Sequence, residues 1–81
     1  MPQYEAVLEL YQARNAVQIA RADGAEQAAG DTFGRAQDLL NQAEAAHRVG
    51  GDPNNVISLS RQAVQAASDA RTIAMRQKAK R

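Results

Sequence analysis

Apolar residues recur along the chain in steps of three and four, the spacing of one face of an α-helix. The first run is Ala6, Leu10, Ala13, Val17, Ala20, widened by Val7 and Ile19. It predicts a helix over about 4–23, with Glu5 and Glu9 at the end where a helix dipole favours acids. Gly24 is its first stop. Residues 25–29 (AEQAA) either continue this helix or form a separate turn, and the sequence leaves the two open. Gly30 then offers a left-handed helix end, and Asp31 or Thr32 an N-cap.

The second run is Phe33, Ala36, Leu40, Ala43 and His47, flanked by Leu39, Ala46 and Val49. It predicts a helix over about 33–49, with Glu44 and Arg48 as an exposed i,i+4 pair. Gly50-Gly51 ends it. Asp52-Pro53 starts the third, with Asp as N-cap and Pro in the first turn. That helix is expected over about 53–77, on a stripe of Val56, Leu59, Ala63, Ala66, Ala70 and Ile73, with Ile57, Val64, Ala67 and Ala74 beside it. Residues 78–81 read as a frayed basic tail. No stretch alternates as a strand would. Short connections between long helices favour antiparallel neighbours, so the expected fold is all-α, a single domain over 1–81 built as an antiparallel up-down-up three-helix bundle.

Composition sharpens this picture. Eighteen of the 81 residues are Ala. Alanine faces let helix backbones approach closely and provide neither a cavity nor chemistry. The larger core candidates are Val7, Leu8, Leu10, Val17, Ile19, Phe33, Leu39, Leu40, Val49, Val56, Ile57, Leu59, Val64 and Ile73. Each contributes roughly 1.5–3 kcal/mol if fully buried, against roughly 1.5 kcal/mol of ordering cost per residue. Such a core is thin, and self-association or attachment to a larger protein would reinforce it. Whether the alanine faces form an internal core or a docking surface is open at this level.

The formal charge is +1, too small for a global argument toward nucleic acid or membrane. Its distribution is uneven: residues 1–52 carry eight acids and four bases, residues 53–81 one acid and six bases. With no Cys there is no disulfide and no thiol chemistry. No apolar run reaches the ~20 residues of a membrane span. The N-terminal residues lack the basic and apolar regions of a signal peptide, and whether the chain is a fragment of a longer protein is open at this level.

Chemical candidates are few. His47 has Glu44 at i−3 and Asn41 further up its helix, which make neither a triad nor a ligand set; it reads as a boundary histidine at a helix end. Asp23 and Glu26 approach each other across one turn as solvated acids. No carboxylate pairs with a His in the spacing of bundle di-metal sites. Gly50-Gly51-Asp52 is too short for a phosphate loop and lacks a following Lys-Ser/Thr. Ser58 and Ser60 read as helix surface or small packing residues. No catalytic residue, cofactor site or metal site is predicted, and the chain is read as a non-enzyme.

Two surface features remain. Arg71, Arg76, Lys78, Lys80 and Arg81 gather at the basic end. Cations at a helix C-terminus are favourable in themselves; the functional reading is contact with an anionic polymer, whether nucleic acid, lipid headgroups or cell-wall carboxylates. The end lacks the interleaved aromatics of single-strand binders and the large apolar face of an interfacial helix. Tyr4 and Tyr11 lie seven apart on nearly one helical face. They read as core edge or, if exposed together, as anchors for a partner.

Tyr11 to Ala74 resembles the Ala-rich bacterial family known as domain of unknown function 4398. The carrying residues are Ala20-Arg21-Ala22-Asp23-Gly24-Ala25, then Phe33, Ala36, Leu39-Leu40, Ala43 and Ala46. After Gly51-Asp52 come Leu59-Ser60, Ala63, Asp69-Ala70 and Ala74. Departures are Val56 and Ser60, where the family has Ala, and Pro53-Asn54-Asn55, where it has an acidic, aromatic-containing segment. The resemblance implies a helical module of envelope lipoproteins, often preceding an OmpA-like peptidoglycan-binding domain, with no catalytic residues to carry over. It implies a periplasmic or outer-membrane-associated location, a lipidated Cys upstream and a further domain downstream. The expected function is therefore a non-enzymatic interaction or spacer module of a bacterial envelope protein. Its expected partner is another protein domain or a second copy, with an anionic cell-wall polymer as a further candidate and no small-molecule substrate. The alternative is a small nucleic-acid-binding bundle that uses the basic C-terminal helix.

Overall fold

A computed structural model describes residues 2–80. The chain is all-helical, with no strand among the described residues, and its helices pack compactly. There are four helices rather than the three expected: α1 (Pro2–Ala22), α2 (Ala25–Ala28), α3 (Gly30–Arg48) and α4 (Pro53–Ala79).

The junctions explain the difference. Gly24, at φ 84°, ends α1, and its N–H donates to the Arg21 carbonyl. The left-handed backbone there suits glycine. AEQA then makes the single turn α2, which tucks Ala25 and Ala29 into the core. Ala29, at φ −139° and ψ 51°, breaks the helix, so the expected left-handed Gly30 is corrected: Gly30 begins α3. No side chain caps that start, and Asp31 falls in the first turn.

The second stop follows the expectation. Gly50 is left-handed at φ 71°, its N–H donates to the His47 carbonyl, and that of Gly51 donates to the Ala46 carbonyl at 2.8 Å. This is a Schellman pair. Asp52 accepts a hydrogen bond from the Asn54 N–H and caps α4, with Pro53 in the first turn. At its other end α4 continues to Ala79, so Lys78 belongs to the helix and not to a frayed tail.

Inside, the buried positions step by seven. Ala6, Ala13 and Ala20 line α1, with Leu10 and Val17 beside them; Phe33 and Leu40 flank Ala36 and Ala43 on α3. On α4 the buried residues are Val56, Ser60, Ala63, Ala66, Ala67, Ala70 and Ala74. The expected α4 stripe is thereby shifted: Leu59 and Ile73 move to a half-buried flank, and Ser60, Ala67 and Ala74 take the centre.

Polar contacts show which side of each stripe faces which helix. Arg14 and Arg21 of α1, one turn beyond Leu10 and Val17, reach Glu44 and Gln37 of α3. Glu9, on the alanine side of α1, and Asp23, just past its end, meet Arg61 and Arg71 of α4. The large residues thus fill the α1–α3 seam, and α4 docks on alanines. That asymmetry brings α4 into extensive contact with both neighbours, whereas α1 and α3 meet more sparsely. The molecule measures 46 × 18 × 15 Å, and the 27 residues of α4 account for ~40 Å of that length at 1.5 Å per residue.

Three expected core residues are corrected. Leu8 lies on the outer face of α1, far around the helix from the Ala6–Leu10–Ala13 line, and Ile19 lies toward that face; both are exposed. Val49 caps α3 and is 80% exposed.

Candidate functional surfaces

The basic end is less unified than its sequence suggests. The Arg71 Nε donates to an Asp23 carboxylate oxygen, which joins α4 to the end of α1. Gln77 Nε2 donates to the Ala28 carbonyl at 3.0 Å, so α4 is tied to α2 nearly two turns further on. Arg76, Lys78 and Lys80 remain exposed. On the helix wheel, Arg76 and Lys80 project to one side, whereas Lys78 lines a shallow depression with Asp23, Gln27 and Ala74. Arg81 lies outside the described residues. Among the described residues the end therefore presents three exposed cations, with Lys78 apart from the other two, and one arginine already engaged.

The two tyrosines do come together on one face. Tyr4 is 67% and Tyr11 54% exposed, two turns apart on the side of α1 away from Ala6, Ala13 and Ala20. They are therefore surface residues and not a core edge. The Arg14 guanidinium lies over the Tyr11 ring, 5.5 Å from its centroid, within cation–π range. Leu8 stands between the tyrosines and Ile19 follows two turns on, so the patch is larger than the tyrosine pair alone. The signal was present in the sequence: positions 4, 8, 11 and 19 make a second stripe, nearly opposite the first on the 3.6-residue wheel. Of the six large apolar residues exposed among the described residues, four are on α1.

Two grooves border these features. One, of about 240 Å³, opens where the ends of α1, α3 and α4 meet; Ala6, Val7, Pro53 and Val56 line it, with Gln3 and His47 at its edge. The other, of about 140 Å³, runs between α1 and α4 beside Ile19 and is lined by Ala16, Ile19, Val64, Ala67, Ser68 and Arg71. A larger, more polar depression of about 580 Å³ between α3 and α4 holds Asp31, Arg35, Gln62 and Asp69.

The titratable groups are distributed among structural contacts. Glu44 accepts from Arg14 at 2.9 Å and is thus turned away from a role beside His47, which is exposed. Asp23 and Glu26, considered together from sequence, turn to different arginines, Arg71 and Arg21. Among the described residues no three His, Asp or Glu side chains gather as a metal-holding group, and no helix is long and apolar enough to cross a membrane. Compared with protein families, with curated proteins and with solved structures, the chain matches none.

Proposed function

We propose that this chain is a non-enzymatic helical interaction or spacer module of a bacterial envelope protein, of the kind its resemblance to the domain of unknown function 4398 implies. In its finer architecture we infer an up-down-up bundle of the three long helices α1, α3 and α4, with α2 as an inserted turn. The ascending pairs Glu9–Arg61 and Asp23–Arg71 and the reversed pairs Arg14–Glu44 and Arg21–Gln37 support that order.

The observation that carries the functional reading is the two-sidedness of α1. Its alanine face is satisfied within the chain, whereas its opposite face keeps Tyr4, Leu8 and Tyr11 in solvent. A helix with one face packed and the other apolar connects its own domain to something else. The 46 Å length suits a spacer, and its mechanism is mechanical: packed helices hold a fixed distance and present one contact face.

Fractionation of cells that make the parent protein tests the location. Recovery with the envelope is expected, and recovery in the cytosol would overturn the envelope reading. The nucleic-acid alternative is tested by mixing the chain with short labelled DNA. No retention is expected at ~50 mM salt; binding that weakens by orders of magnitude toward ~200 mM salt would favour the alternative instead.

A further inference from the structure

We propose that Asp23-Gly24 is a self-modification site, where the aspartate rearranges to isoaspartate, and that the ion pair between Asp23 and Arg71 guards it. The inference goes beyond the interaction-module reading and does not depend on it.

The sequence singles out the bond. Of the five aspartates only Asp23 is followed by Gly, and none of the four asparagines is. Glycine matters twice. It leaves the backbone nitrogen without a side chain to shield it, and it lets the backbone turn toward the geometry that ring closure needs. The reaction uses only water. The Gly24 nitrogen bonds to Asp23 Cγ and gives up its proton, and the carboxyl hydroxyl leaves with that proton as water. A second water then opens the five-membered imide. Entry at Cγ restores aspartate. Entry at the main-chain carbonyl carbon breaks its bond to the Gly24 nitrogen and leaves isoaspartate, with the chain running through Cγ.

The fold holds the two reacting groups apart. The Gly24 N–H donates to the Arg21 carbonyl at 3.0 Å, and the Gly24 carbonyl accepts from the Ala28 N–H at 3.0 Å. Gly24 is thus fixed between the end of α1 and the turn α2. Across the fold, Arg71 Nε donates to Asp23 Oδ2 and draws the carboxylate toward α4. Ring closure requires the carboxylate to leave Arg71 and the Gly24 N–H to leave Arg21. Such a guard slows the reaction without abolishing it. The Arg71 side chain is 52% exposed, exposed ion pairs are weak, and helix ends open locally. Water has access as well. Beyond the chain neighbours, no atom lies within 4 Å of where a Cβ on Gly24 would stand, and Asp23 and Gly24 border the depression that Lys78 lines.

The product differs where it matters to the fold. Isoaspartate lengthens the main chain by one carbon and carries its carboxylate directly on Cα, one carbon short of the reach that Asp23 has toward Arg71. The modified chain loses the tie between the end of α1 and α4, and Arg71 joins the exposed cations of the basic end.

Trypsin releases residues 22–35 as one peptide, in which isoaspartate changes the chromatographic retention but not the mass. The intact chain is kept near neutral pH for weeks, folded in buffer and unfolded in concentrated urea. Fragmentation of the peptide then assigns isoaspartate to Asp23 or to Asp31, which precedes Thr. Accumulation is expected at Asp23, slowest in the folded chain and fastest in urea. Arg71→Ala should speed it roughly two- to fivefold in the folded chain, the factor that an exposed ion pair commands. Arg61→Ala removes the corresponding pair with Glu9 between the same two helices and should leave the rate as it was, which separates loss of the guard from loss of stability. Asp23→Glu keeps a carboxylate beside Gly24 but cannot close the same ring, so the new species should vanish. No isoaspartate at Asp23 even in urea, equal rates in the folded and unfolded chain, or a species that persists in Asp23→Glu would overturn the site. Arg71→Ala no faster than the unaltered chain, or Arg61→Ala as fast as Arg71→Ala, would overturn the guard.

Discussion

Ser60 is completely buried, and its Oγ has no hydrogen-bond partner. It sits one heptad before Ala67 and two before Ala74, where a small side chain lets α4 press against its neighbours. The site calls for smallness and not for a hydroxyl. A buried polar group without a partner costs stability, and alanine removes that cost without opening a cavity. Ser60→Ala should therefore raise stability by about 1 kcal/mol in denaturant melts; a loss of that size would show that the hydroxyl has a partner. At this scale the sequence is readable only in part. Ser58 and Ser60 look alike in it, and both fit surface or small packing roles. Two residues of helical turn, about 200° of rotation, put Ser58 in solvent and Ser60 in the core.

At the scale of elements, α4 is the helix on which the other two depend. Its buried face is almost entirely alanine, so volume is constrained there as it is not on the outer side. Ala67→Leu should destabilise by about 1–3 kcal/mol, because the added carbons have no space. Gln65→Leu, on the exposed face of the same helix, should change stability by no more than ~0.5 kcal/mol. Comparing the two midpoints separates packing from propensity, since both variants add the same residue to the same helix. The periodic stretches and the Gly50-Gly51-Asp52-Pro53 junction are legible in sequence because their signals are local: a repeat of three and four, a left-handed glycine, a capping carboxylate. Residues 25–31 are not, because AEQAA suits a helix equally well as one turn or as a continuation. Burial of Ala25 and Ala29 against α3 and α4 decides the matter, and that is a long-range contact.

For the whole molecule, α4 holds the fold together. It packs extensively along both α1 and α3, whereas those two share a sparser seam of Leu10, Val17, Phe33 and Leu40 bridged by Arg14–Glu44. That ion pair is partly exposed and contributes at most ~1 kcal/mol, too little to hold two helices alone. A chain cut after Asp52 should therefore show little helix by circular dichroism, since short isolated helices are marginal in water. Retention of most of the helix signal would show that α1 and α3 form a stable pair without α4.

The sequence by itself determined where the long helices lie, that the chain is all-helical, and which line of α1 and α3 turns inward. Each of these follows from covalent order and a 3.6-residue turn. Only the tertiary structure decided which apolar residues stay outside. Leu8 and Ile19 are as apolar as Leu10 and Val17, and an apolar residue off the inward line is buried or left outside according to how far the neighbouring helices wrap around α1. Because α3 and α4 cover the Ala6–Ala13–Ala20 side, the Tyr4–Leu8–Tyr11 side is left to solvent. The basic end was decided in the same way. Charge alone cannot distinguish Arg71 from Arg76, but the approach of Asp23 across the fold engages the first and leaves the second exposed.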